Sequence, residues 1–142
     1  MLNILHHYIG TKVLNRIEPE ISHAIALCYL RLLNQFVRKR KIGNPMLKTK
    51  ICGMEVPSPI GLAAGFDKNA EVFNATLSLG FGFVEVGTIT PDPQFGNPKP
   101  RLFRLPEEEA LINRLGFNNK GMLYVSKIAE KPKLGIVGVN IG

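Results

Sequence analysis

A chain of 142 residues with 45% apolar and 20% charged content is long enough to bury one core and too apolar for a disordered polymer. Its two cysteines, Cys28 and Cys52, lack CxxC spacing, so free thiols are expected and a metal site is not. The formal charge of +7 lies entirely within residues 1–50, which hold nine Lys/Arg and two acids; the neutral remainder is therefore no nucleic-acid surface.

In chain order, residues 3–17 and 20–38 pattern as two helices. Pro19, in Glu18-Pro19-Glu20, breaks the first and suits the first turn of the second. The two flanking acids favour a helix start. Ile21, Ala24, Ile25, Cys28, Leu32 and Phe36 follow a helical stripe, which Leu27, Leu30, Leu33 and Val37 broaden. The stretch is too short and too interrupted to cross a membrane. Its basic run, Arg38-Lys39-Arg40-Lys41, follows the apolar residues, whereas a secretory signal would place it before them. Two readings fit: a helix lying in a phospholipid interface with its basic end on the headgroups, or an internal helix with solvated cations.

Gly43-Asn44-Pro45 reads as a linker, dividing the chain into a helical segment, 1–42, and an α/β segment, 43–142. Ile51 to Val56 and Ile60 to Ala64 are strand candidates. Residues 69–79 pattern as a helix ending at Gly80. Gly82 to Thr88 is the next strand, followed by a Pro/Gly loop from Pro91 to Pro100. Arg101 to Leu105 suits an extra strand, Leu111 to Asn119 an amide-rich loop, and 119–130 a helix. Leu134 to Ile141 is the last strand. Strands alternating with helices imply a parallel sheet covered on both faces, with right-handed crossovers. The core strands end in Gly65, Thr88 and Asn140. This α/β pattern resembles the first part of a (β/α)8 TIM barrel, about three core strands, with ligands at one mouth.

Within that frame, Ile60-Gly61-Leu62-Ala63-Ala64-Gly65-Phe66-Asp67-Lys68-Asn69-Ala70 carries the strongest signal. Small residues at a strand end let a flat ligand approach the backbone. The cation at Lys68 can then meet an anionic group beside that ligand. The asparagines of Leu111 to Asn119 both donate and accept, which suits a planar ligand with imide and carboxylate groups. Ordinary roles compete: a surface Asp and Lys, turn-forming Asn and Gly, and strand-end caps at Thr88 and Asn140.

The runs PIGLAAGFDKNAE, GFGFVEVGTITPDPQFGNPKPRLFRLPEEEALINRLGFNNKG and GVNIG together resemble class 2 dihydroorotate dehydrogenase, the quinone-linked flavoenzyme of pyrimidine synthesis. The resemblance extends from about residue 5 to the last residue. It implies that Ala64, Gly65, Phe66, Asp67, Lys68, Thr88 and Asn140 border flavin mononucleotide (FMN). It implies that Lys68, Asn113, Arg114, Leu115, Gly116 and Phe117 hold dihydroorotate or orotate. The N-terminal helices would form a membrane-associated extension with a lipid-side tunnel for ubiquinone or menaquinone, with His23 and Arg104 near its head group. The implied location is peripheral, on the cytoplasmic face of the inner membrane if bacterial. His23 also suits a plain helix histidine, and Arg104 a loop cation pairing with Glu107 or Glu108.

The resemblance assigns no catalytic base within this chain, because the family's serine loop corresponds to sequence beyond residue 142. The later asparagine cluster and the phosphate-binding loops lie there as well. The expectation is therefore the N-terminal part of such an enzyme, truncated or split or completed by a C-terminal chain, and inactive alone. The alternative is a non-catalytic remnant or membrane-binding module.

Overall fold

The computed structural model describes residues 12–37 and 45–142. Most of the first expected helix, the basic run at 38–41 and most of the linker lie outside them. Residues 12–14 form a helical turn. Helix α1 spans Pro19–Asn34, with Pro19 in its first turn. Glu18 caps it, accepting the N–H of Ile21 on Oε2 at 2.8 Å. The helix stops at Asn34, earlier than the apolar pattern suggested. Its inner face is real core: Leu30 packs with Val72 and Ala75, flanked by Leu27, Leu33, Val37 and Phe66.

Strands β1, Thr49–Ile51, and β2, Met54–Val56, pair antiparallel. The single strand expected over Ile51 to Val56 is thus corrected to a hairpin. Cys52 and Gly53 turn it, both at positive φ (49° and 79°), as a tight two-residue turn requires. Cysteine carries no turn preference, which hid the break.

Strand β3, Gly61–Leu62, β4, Phe83–Ile89, and β7, Ile136–Ile141, form a three-stranded sheet in the order β3-β4-β7. Both pairings are parallel. Central β4 is the longest strand, and its Val84 and Val86 are fully buried. Helices α2, Phe73–Ser78, and α3, Met122–Ala129, follow β3 and β4 as crossovers. Phe73, Leu77, Val84, Val86, Ile89 and Val125 form the main core. Helix α2 is shorter than the expected 69–79, because Asp67 draws the amides of Glu71 and Val72 into a loop.

The second correction concerns Leu111 to Asn119. Its first residues belong to β6, Ala110–Asn113, which pairs antiparallel with β5, Leu102–Leu105. The turn between them closes through the Glu109 N–H bonded to the Pro106 carbonyl. The acidic turn and the amides beyond it masked four residues of strand.

Candidate functional site

The three parallel strands deliver their carboxyl ends side by side. The N–H of Gly65 donates to the Gly87 carbonyl at 2.8 Å, and the Gly87 N–H to the Asp67 carbonyl at 3.1 Å. The Thr88 hydroxyl donates to Asn140 Oδ1 at 2.6 Å, and Asn140 Nδ2 to Glu85 Oε1 at 3.1 Å. Gly87 is a geometric necessity: a Cβ there would lie 2.5 Å from the Asn140 carbonyl oxygen, and its φ of 112° disfavours any side chain.

Beside these ends opens a cavity of about 480 Å³. Ala64, Gly65, Lys68 and Thr88 form one wall, and Asn113 through Phe117 the other. Nine of the residues singled out in the sequence therefore meet in one place, although they are separated by up to about a third of the chain. Gly65 leaves its wall bare, since an added Cβ would meet nothing within 4 Å.

A second cavity, about 320 Å³, lies between the helix and the hairpin β5–β6. His23, Phe66 and Arg104 line it, with Pro19 and Glu20. Gly65, Lys68, Leu102, Leu111 and Leu115 line both cavities, so they share a wall. The His23 ring bonds the Phe66 carbonyl through Nε2 at 2.7 Å and packs edge-on against the Phe66 ring. A carbonyl only accepts, so that nitrogen carries the proton. Burial lowers the His23 pKa, partly offset by this bond. Arg104 does not pair with Glu107 or Glu108. Its Nη1 donates to the carbonyls of Asn15 (2.9 Å) and Ile17 (3.0 Å), fastening the turn before α1 to β5.

Several predicted residues have their side chains engaged within the chain. Asp67 is buried, and its carboxylate accepts the Glu71 and Val72 amides at 2.8 Å each. Burial pushes its pKa above the ordinary value, against those bonds. Phe66 faces the helix. Asn140 acts from behind Thr88. Arg114 lines the cavity, and its guanidinium binds the Pro100 carbonyl and lies over the Phe103 ring. Lys68 folds back to donate to the Gly65 carbonyl, and burial lowers its pKa, with the Arg101 charge second.

Sequence reasoning missed Asn97, Leu102 and Leu111 as cavity walls. Asn119, offered in the sequence with the other asparagines of that loop as a ligand group, is instead buried and clasps Thr90, Phe117 and Gly121. Asn97 sits between Gly96 and Pro98, so its composition signals only a turn.

A parallel βα unit with a cavity at its strand ends, walled by small residues, amides and a lysine, defines an α/β protein with its candidate site at the carboxyl ends of the strands. The family model for dihydroorotate dehydrogenase matches residues 46–142, and the chain belongs to that family. A dihydroorotate dehydrogenase (quinone) of Mesorhizobium japonicum is 52% identical over 94% of this chain and 38% of its own length. That of Marinomonas sp. is 50% identical over 96% of this chain and 40% of its own. The crystal structure of DHODH from Eimeria tenella in complex with ferulenol matches with a TM-score of 0.76 and 41% identity, over 87% of this chain and 35% of that one. The chain thus spans about two fifths of the length of these relatives.

Proposed function

We propose that this chain supplies the first part of a quinone-linked dihydroorotate dehydrogenase, an oxidoreductase of pyrimidine biosynthesis. In this reading β3, β4 and β7 are the opening strands of a βα barrel, and the helical segment is a membrane-associated extension. The observation that carries it is the wall shared by two cavities, one lined by amides and a cation, the other enclosed by α1. An enzyme that takes electrons from a polar substrate and passes them to an apolar one needs two such entrances.

The residues present fit a flat cofactor. Gly65 and Ala64 leave bare backbone, and Thr88, held by Asn140, offers a fixed hydroxyl. FMN, when bound, would supply the two-electron redox step. The chain's own residues orient and hold charge. Lys68 presents an ammonium where the cavities meet, suited to an anionic ring such as dihydroorotate and to stabilising negative charge beside it. Asn113 and the backbone to Phe117 would bind the ring's amide and carbonyl edges. On the helix side, His23 and Arg104 would border the quinone head group.

The test is dihydroorotate-dependent quinone reduction by the protein carrying this chain. Lys68→Met should lower kcat/KM for dihydroorotate about a hundredfold, the scale of a lost charge-assisted contact. Unchanged kinetics in that variant would remove Lys68 from the site.

A further inference from the structure

We propose that Arg101, paired with Glu20, is a positioning residue that ties the helix bordering one cavity to the loops walling the other. The proposal rests on the two-cavity reading above. Arg101 borders neither cavity. It is nevertheless buried, and its whole fork is engaged. Nε lies 3.2 Å from both Glu20 oxygens and Nη2 2.6 Å from Oε1. Nη1 donates to the carbonyls of Phe95 at 2.6 Å and Asn97 at 3.1 Å.

The connection continues past the side chain. The Arg101 carbonyl accepts the Arg114 N–H at 2.9 Å, and the Asn97 N–H donates to the Leu115 carbonyl at 3.0 Å. Asn97 Nδ2 donates to the Arg114 carbonyl at 2.8 Å. Asn97, Arg114 and Leu115 all wall the strand-end cavity. At the other end, Glu20 lies one helical turn before His23, and both line the helix-side cavity. A displacement of α1 therefore pulls on Glu20, and through Arg101 on the loops that shape the first cavity.

The fit leaves little slack. A Cβ on Gly96 would fall 2.2 Å from the Leu115 carbonyl oxygen and 2.8 Å from Arg101 Nη1. The three nitrogens of the guanidinium fork reach the Glu20 carboxylate on one side and the Phe95 and Asn97 carbonyls on the other, a span that a lysine's single nitrogen does not cover. Removing Glu20 leaves the buried Arg101 charge with no carboxylate, whereas Glu20 without Arg101 still keeps Lys99 at 3.4 Å, so the linkage is most sensitive at its Arg101 end.

Two variants of the protein that carries this chain test this, Glu20→Gln on the helix and Arg101→Lys in the loop. Amide hydrogen exchange is read by mass spectrometry. In Glu20→Gln, exchange should quicken about tenfold in residues 94–97 and 114–117 as well as in the first turns of α1, with β4 unchanged. In Arg101→Lys the same loops should loosen, and the KM for dihydroorotate should rise about fivefold while kcat stays within about twofold. Faster exchange confined to α1 in Glu20→Gln would overturn the linkage. So would equal changes in the KM for dihydroorotate and for quinone in Arg101→Lys. If Arg101→Lys does not fold, the Glu20→Gln exchange map decides alone. If the unaltered protein does not oxidise dihydroorotate, the functional reading fails, and the exchange map still decides the linkage.

Discussion

Three ionisable side chains around the Phe66 turn have pKa values shifted chiefly by burial. The Asp67 pKa rises, while those of Lys68 and His23 fall. Asp67 is therefore a scaffold group: its two oxygens close the loop that leads to α2. His23 has a testable consequence. Desolvation is the largest influence on it. The Phe66 bond and the charges of Glu20 and Asp67 oppose that shift, and Lys68 adds to it. Its folded pKa lies below the ordinary 6.5. Between the two values the unfolded chain binds more protons than the folded one, so stability from this group is present above 6.5 and is lost as pH falls towards the folded value. The urea midpoint should drop between about pH 7.5 and 5.5. His23→Gln keeps an N–H donor for the Phe66 carbonyl without titrating, and should show a smaller drop. Identical pH slopes in the two proteins would show that His23 contributes nothing to acid sensitivity.

Helix α1 carries two apolar faces. Leu27, Leu30 and Leu33 pack inward, whereas Ile21, Ile25, Tyr29 and Leu32, with Phe36 in the turn just past the helix, are exposed. Two carboxylates hold the helix by its polar positions. Glu20 takes Arg101, and Glu71 takes Arg31, Lys120 and the Tyr124 hydroxyl. Burial resists ionisation of Glu71, yet those three partners outweigh it and its pKa falls. The outer stripe is thus held facing away from the core. No helix among the described residues is long and apolar enough to cross a membrane. A lipid interface suits such a stripe. Leu32→Glu combined with Phe36→Glu should weaken binding to anionic vesicles about tenfold or more, given the apolar burial each change removes. Cosedimentation measures it, and undiminished binding would favour a protein partner for this face. Elements with a single clear period were legible in the sequence: α1, β4, α3 and β7 lie where the patterns put them, apart from their ends. The hairpins were not. A Cys-Gly turn split β1 from β2, and β6 lies inside a stretch whose asparagines drew attention to loop chemistry.

At the scale of the whole molecule, the site was legible where function shapes local composition. Ala64-Gly65 and the run from Asn113 to Phe117 announce themselves as small or amide-rich segments, and they face one another across the cavity. Arg101 and Glu20 announce nothing, because their significance is a contact between distant segments that no local pattern encodes. The sheet raises a further expectation. In the order β3-β4-β7, β7 pairs on one side with β4 and has no second strand partner among the described residues. Val139 is 50% exposed and Ile141 81%, on an edge whose unpaired amides and carbonyls can template another strand. Parallel sheets of this kind are normally covered on both faces and continued at their edges. Expressed as these 142 residues by themselves, the protein should therefore self-associate and bind the apolar dye ANS. Co-expression with the remaining three fifths of a relative should suppress both effects by continuing the sheet from β7. Sedimentation velocity with a dye titration reads the result. A monodisperse monomer without dye binding would mean that the edge is protected within the chain itself, and that the β7 face needs no further strand.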